Sequence, residues 1–301
     1  MMKGSNKLPK YSMLKHASVE GSLPLLSAIT QESLDSASSF EPEPGDVFVI
    51  TYPKCGTTWM NNILYLMKNN GVTVEEGDNI ANYFPFIELI GGEATKEKPR
   101  PRFIKSHLLF DILPQSSNAK YIHVARNPKD CVVSFYHHTV GYEQFYDWND
   151  GKLDDYFEIF MAGGCDWGSY FEMVPRWYER SLKQDNILFL FYEDMIVDLR
   201  KEVLKVADFL GPSWKESLLR NNEEILDKVL ENASFSAMKA KQKRYFYSPR
   251  PKDRPFLRKG AIGSWRDELS EEQSKLIDLK MAETAQKYPD FENVRVRYAD
   301  V

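Results

Sequence analysis

The chain has 301 residues, 43% of them hydrophobic and 28% charged, with a formal net charge of −5. That much apolar content supports a large buried core and excludes a disordered chain. The acidic balance argues against a general nucleic-acid binder, which needs a basic excess to meet phosphates. Three widely spaced cysteines (Cys55, Cys131, Cys165) form neither a disulfide framework nor a repeated metal-ligand spacing, so a reducing, cytoplasmic compartment and no metal site are expected. No apolar run approaches the roughly 20 residues that span a bilayer, and no basic region followed by an apolar core opens the chain, so the expectation is a soluble protein without a membrane partner.

Residues 1–45 show few periodic apolar positions and read as an N-terminal extension, with 33–45, rich in Ser, Glu and Pro, as an exposed loop. Val47, Phe48, Val49 and Ile50 follow as a strand buried on both faces, as in a parallel sheet. The stretch Thr51-Tyr52-Pro53-Lys54-Cys55-Gly56-Thr57-Thr58-Trp59 then leads into a helical pattern, with Trp59, Met60, Ile63, Leu64, Leu66 and Met67 on one face through about Asn70. A strand, a turn carrying Lys, Gly and two Thr, and a helix N-terminus gather unpaired N–H groups and hydroxyls at one point, which suits a phosphate-sized anion. A capped strand-to-helix connection accounts for the same string without a ligand. It is not a G-x-x-x-x-G-K-[ST] loop, because Lys54 precedes Gly56, and this disfavours an ordinary ATP or GTP site and hence a kinase.

Further along, an aromatic segment (Tyr83–Ile90) precedes a short strand, Phe103–Ser106, ending at His107. Tyr121–Ala125 is a third strand, and Asn127 and Pro128 mark the start of the next helix as cap and first helical residue. Residues 154–183 read as two helical pieces, and Ile187–Tyr192 as a fourth strand followed by Glu193 and Asp194. Leu199–Leu210 is an amphipathic helix, and Ser270 with Gln273 forms a capping-box pattern for a last helix through about Tyr288. Between them, residues 236–260 carry nine basic residues and one acid, a net +8 that leaves about −13 for the rest of the chain. Such a strip suits a small, multiply charged anion or a solvated loop. Strands alternating with helices, no repeat and no dividing linker imply one doubly wound α/β domain over 1–301 around a central parallel sheet. In such sheets ligands sit beyond the carboxyl ends of the strands, where Lys54, Lys105, His107, Arg126 and Tyr192 fall.

Five motifs in order, TYPKCGTTW at 51–59, KSH at 105–107, RNPKDCVVSFYHH at 126–138, FYEDM at 191–195 and RKGAIGSW at 258–265, resemble those of the cytosolic sulfotransferases. That resemblance implies a P-loop-like phosphate site and transfer of a sulfuryl group from 3′-phosphoadenosine-5′-phosphosulfate (PAPS), leaving 3′-phosphoadenosine-5′-phosphate (PAP), to a hydroxyl or amine of a small acceptor, without a metal. It implies that Lys54, Cys55, Gly56, Thr57 and Thr58 cradle the 5′-phosphate, with Lys54 also reaching the oxygen that bridges phosphate and sulfate. Trp59 is expected to stack on adenine opposite Phe235, with Tyr192, Ser234, Met238, Phe256 and Leu257 also on the nucleotide. Arg126 and Ser134, with Arg258, Lys259 and Gly260, are expected to hold the 3′-phosphate. His107 is implied as the base, with Lys105 beside it and Lys54 and Ser134 completing the catalytic set. The chemistry asks for these residue types on its own terms: sulfuryl transfer, like phosphoryl transfer, relies on in-line positioning and neutralisation of charge. A phenol with pKa near 10 also has to lose its proton during attack at neutral pH.

Phe84, Phe86, Leu89, His138, Tyr142, Tyr245 and Phe246 are the candidate acceptor wall, with Lys105 and His107; an aromatic wall favours phenols, and Glu143 and Asp147 near Tyr142 leave room for a cationic catecholamine. The chain departs from the family at Cys55, where a Ser is usual, which suggests a thiol open to oxidation at a helix N-terminus, and at Ala233, where a Thr is usual. The family's K-x-x-x-T-V-x-x-x-E dimer pattern is not kept at Arg266, Ser270, Glu271 and Lys275, which implies a monomer or a dimer of another kind.

Overall fold

The computed structural model describes residues 8–245 and 254–299. Two short strands, β1 (Tyr11–Leu14) and β2 (Leu23–Leu26), pair antiparallel near the start of the chain. The centre is a parallel sheet of β3 (Val47–Thr51), β4 (Phe103–Ser106), β5 (Lys120–Ala125) and β6 (Ile187–Phe191), in the order β4–β3–β5–β6. The expected α/β fold is therefore present.

The apolar runs form strands because both faces are covered. Phe48 and Ile50 of β3 enter one core cluster while Val47 and Val49 enter the other, and Tyr121 of β5 stacks on Phe48 with ring centroids 5.0 Å apart. Each such side chain stabilises the fold by about 1.5–3 kcal/mol relative to exposure. At the start of β3 and β4, buried Arg102 bonds Asp46 through Nε (2.7 Å) and Nη2 (2.8 Å) and reaches Glu43 at 2.6 Å, tying the two strands together.

From β3 the chain passes to β4 on one side and then returns to β5 on the other. The connections leaving β3 and β5 thus diverge, and the crevice between them is where an open α/β sheet accepts ligands. The helix Pro128–Val140 starts as read from the sequence: Asn127 Oδ1 accepts from Lys129 N at 2.9 Å and Pro128 occupies the first turn. The last long helix, Glu271–Lys287, carries the Ser270–Gln273 capping box.

One expectation is overturned. Residues 33–45 are not simply an exposed loop, because α1 (Gln31–Ser38) runs through their first half. Its sequence, QESLDSAS, is Ser-rich and buries only Leu34 and Ala37. Reciprocal bonds offset that poor propensity: Thr30 Oγ1 accepts from Ser33 N and Ser33 Oγ accepts from Thr30 N, both at 3.1 Å. Ser36 Oγ also accepts from Gly92 N at 2.9 Å, so tertiary contact holds the helix. Thr30→Ala is expected to lower stability by about 1 kcal/mol, read as a lower denaturant midpoint at unchanged slope; an unmoved midpoint would show that the cap contributes nothing.

Candidate active site

A cavity of about 300 Å³ opens at the carboxyl ends of the strands. After β3 the chain turns with Lys54 at φ 72° and Gly56 at φ 107°, and Gly56, which makes no side-chain cap hydrogen bond, caps α2 (Thr57–Lys68). A Cβ at position 56 would stand 3.1 Å from the Tyr192 ring, so a bare backbone is needed at that point. Lys54 Nζ lies 3.3 Å from His138 Nδ1 and 4.0 Å from the Phe256 ring centre. Trp59 is fixed edge-on to Tyr192 at 5.3 Å, and its Nε1 donates to the Ala233 carbonyl at 2.8 Å.

His107, just past the end of β4, is buried. Its Nδ1 is 2.8 Å from the Thr51 carbonyl oxygen, which can only accept, so Nδ1 carries the proton and Nε2 is the basic nitrogen of the neutral ring. Thr51 Oγ1 lies 3.3 Å from the same Nδ1 and 2.6 Å from Thr57 Oγ1, linking the ring to the start of α2. Burial above all, then the Lys105 and Lys54 charges, hold the imidazole well below its usual 6.5, against the opposing pull of the Thr51 carbonyl. Trp167 and Phe86 enclose the ring with centroids 4.8 and 5.4 Å away. Lys105 Nζ sits 3.7 Å from the Phe86 ring centre, and burial brings its ammonium down to about 8 with Glu88 opposing.

Arg126 borders the cavity beyond β5. It donates from Nη2 to the Ala261 carbonyl at 3.2 Å and lies 4.5 Å from the Tyr192 ring centre, and among the described residues its buried Nε has no hydrogen-bond partner. Arg258 is bonded to Glu268 at 2.5 Å and Lys259 to Asp267 at 2.6 Å. Burial alone would raise Glu268, but its bonds to His137 and Arg258 outweigh that and bring it to about 2. An anion reaching Arg258 and Lys259 therefore competes with the carboxylates of Glu268 and Asp267. Asp130 accepts from Gly263 N, Ser264 Oγ and Trp265 N and holds the basic loop against the helix Pro128–Val140.

The cavity brings together Lys54, Gly56, Thr57, Thr58, Trp59, Arg126, Ser134 and Tyr192 with Phe235, Met238, Phe256, Leu257, Arg258, Lys259 and Gly260 from far along the chain. Phe86, Lys105, His107, His138 and Tyr142 complete the residues read from the sequence. Five others stand elsewhere. Cys55 is fully buried with its Sγ 3.7 Å from Cys131 Sγ, so its thiol faces the core rather than the anion crevice. The Ser234 hydroxyl caps the helix Phe235–Ala240 through Ala237 N. Phe84 stacks on Phe103 inside the second core cluster, Tyr245 is buried in that same cluster, and Leu89 is on the exterior. Phe246 lies outside the described residues. Glu143 and Asp147 are exposed and do not border the cavity. The sequence reading missed Leu26, Phe145, Tyr146 and Trp167, all on the cavity wall. Nothing in the sequence singled them out; Trp167 stands between Asp166 and Gly168 with φ 60°.

A family model of the sulfotransferase domain matches residues 44–289. The chain belongs to the sulfotransferase family. Human sulfotransferase 1C2 is 36% identical over 281 residues, covering 88% of this chain and 90% of its own. Bovine sulfotransferase 1E1 is 35% identical over 264 residues, covering 82% and 86%. Among solved structures, mouse sulfotransferase SULT7A1, complexed with PAP, superposes with a TM-score of 0.71 at 26% identity over 92% of this chain and 96% of its own. A retinol dehydratase in complex with androsterone and PAP shares the fold, with TM-score 0.71 at 22% identity over 85% and 86% of the two chains.

Gly260 of this sulfotransferase has φ 61°, and a Cβ there would lie 2.2 Å from Phe235 Cδ2. Gly260→Ala is expected to displace Phe235 from the cavity wall and to destabilise the fold by about 1–3 kcal/mol, measured by thermal unfolding; an unchanged melting temperature would contradict that packing.

Proposed function

We propose that this enzyme moves the sulfuryl group of PAPS to the hydroxyl of a small phenol, with His107 as the base. The observation that carries the reading is the Nδ1–Thr51 bond, which leaves a neutral imidazole with its basic nitrogen at Nε2 on a cavity that also holds Lys54 and Lys105. Such a ring can take a phenolic proton as attack proceeds, whereas an imidazolium cannot.

The nucleotide half of the cavity fits a bisphosphate. The glycine-capped start of α2, Lys54 and Thr57 suit one phosphate, and the orphaned Nε of Arg126, with Arg258 and Lys259, suits the other. Each charge-assisted contact supplies about 1.5–3 kcal/mol. When bound, PAPS supplies an activated sulfuryl group and a leaving group that departs as PAP. The chain's own residues orient that group, offset its negative charge through Lys54 and Lys105, and remove the acceptor's proton at His107 Nε2.

The acceptor half is lined by Leu26, Phe86, Tyr142, Phe145, Tyr146 and Trp167. Flat aromatic walls favour a phenol. A catecholamine is the weaker reading, because Glu143 and Asp147, the carboxylates that would hold its ammonium, stand off the cavity. We place the enzyme in the cytosol as one domain, monomeric or dimeric without the usual motif; three free, buried cysteines suit a reducing compartment. Among the described residues, no helix is long and apolar enough to cross a membrane.

His107→Ala is expected to lower kcat by about 100-fold or more in an assay of labelled PAPS with a panel of simple phenols, catecholamines and sterols, while PAP affinity by calorimetry stays within about twofold. Full turnover in that variant would remove His107 from its role, and transfer to sterols but not phenols would refute the acceptor class.

A further inference from the structure

A carboxylate stands behind His107, off the cavity wall. Glu88, on the short helix Ile87–Ile90, is 0% exposed. Its Oε1 accepts from the backbone N–H of His107 at 2.6 Å and from Trp167 Nε1 at 3.1 Å. Among the described residues its buried Oε2 has no partner. The segment is anchored from both sides: Ser33 of α1 donates to the Glu88 carbonyl at 2.9 Å, and Lys105 N donates to the Pro85 carbonyl at 2.9 Å. Glu88 therefore holds the backbone of His107 and the indole that packs against the His107 imidazole.

A carboxylate in such a place is expensive, because its desolvation is several kcal/mol unless charge and hydrogen bonds offset it. A neutral side chain could fill the same volume, so the charge needs a reason. The titratable groups around it are Lys105 and His107 at the end of β4, with Lys54 from the loop after β3 acting on His107. Lys105 is the cation that favours ionised Glu88, and Glu88 in turn is the charge that favours protonated Lys105.

We propose that Glu88 is a positioning residue for the transfer: its carboxylate fixes the His107 backbone and the Trp167 indole, and its negative charge keeps Lys105 an ammonium. This rests on the roles given above to His107 and Lys105. Burial pushes Glu88 up to about 7, opposed first by the His107 N–H and then by Lys105, and pushes Lys105 down to about 8, opposed by Glu88, so both groups titrate near neutrality. The Lys105 ammonium is lost as pH rises through about 8. Without the Glu88 charge, among the described residues only the face of the Phe86 ring offsets the desolvation of Lys105, and that loss moves to lower pH.

The test is Glu88→Gln, which keeps one oxygen for both N–H donors, replaces the unpartnered Oε2 by an amide NH2 and removes the charge. Competitive acetylation of Lys105 as a function of pH, read by peptide mass spectrometry on the nucleotide-free protein, follows the ammonium directly. In the wild type Lys105 is expected to titrate near 8. In Glu88→Gln it should be about fivefold more reactive at pH 7, the gain in free amine from a downward shift of about one pH unit, and the alkaline fall of kcat should move by about that same unit with PAP affinity within twofold. Glu88→Asp, which keeps the charge but shortens the reach, should leave the Lys105 titration in place and lower kcat; an undiminished kcat in it overturns the positioning role even if Glu88→Gln does not fold. An unshifted Lys105 titration in Glu88→Gln, or a shifted one in Glu88→Asp, overturns the proposal. A fully active His107→Ala would end the His107 assignment and leave the Lys105 titration standing as a separate result.

Discussion

The hydrogen bond from His107 Nδ1 to the Thr51 carbonyl is the interaction on which the centre depends. It follows from the register of the sheet. Ile50 of β3 pairs with Ser106 of β4, so the next residues, Thr51 and His107, emerge side by side where the strands end. A one-residue slip would turn alternate side chains to the other face and take the ring away from that carbonyl. Because the acceptor is backbone, the tautomer is set by the fold itself. The same β3 end supplies the Lys54 turn and the start of α2, so base and anion loop share one rigid origin.

The charge distribution completes that picture. An acidic protein concentrates cations around one cavity: Lys54 and Lys105 near the base, Arg126, Arg258 and Lys259 at the far end. Arg258 and Lys259 are already paired with Glu268 and Asp267, whereas among the described residues Arg126 retains a buried Nε without a hydrogen-bond partner. On the proposed reading, a dianionic group that reaches Arg258 and Lys259 replaces their carboxylates, so selectivity for a bisphosphate would arise from partner exchange as well as from attraction.

Much of the fold was legible in the sequence because strong local signals agreed with it. Apolar runs marked three of the parallel strands and a short run ending in polar groups marked the strand Phe103–Ser106, while Asn127–Pro128 and Ser270–Gln273 marked helix starts through side chains that bond the first turn. α1 was illegible because its signal is a Thr–Ser exchange of bonds over a weakly apolar face. In the site, residues attached to strand ends were readable, since the sheet decides where they point. The acceptor wall was not. Phe84 and Phe86 look alike in sequence, yet the first stacks on Phe103 in the core and the second meets Lys105 and His107. Leu26, Phe145, Tyr146 and Trp167 come from three separate segments that only tertiary packing brings together. Cys55 misled for a related reason: its place in the loop sequence suggested a ligand-facing thiol, and the turn directs it to Cys131.

The dependence of kcat on pH with a phenolic acceptor tests the neutral, carbonyl-held base most directly. Because burial and the neighbouring ammonium groups hold His107 well below 6.5, kcat should stay level as pH is lowered from neutrality to 6.5 and fall only at clearly lower pH. An acid limb centred at or above 6.5 that persists in Glu88→Gln, where the buried carboxyl near 7 is gone, would mean that the ring titrates as an ordinary histidine, and would contradict the account.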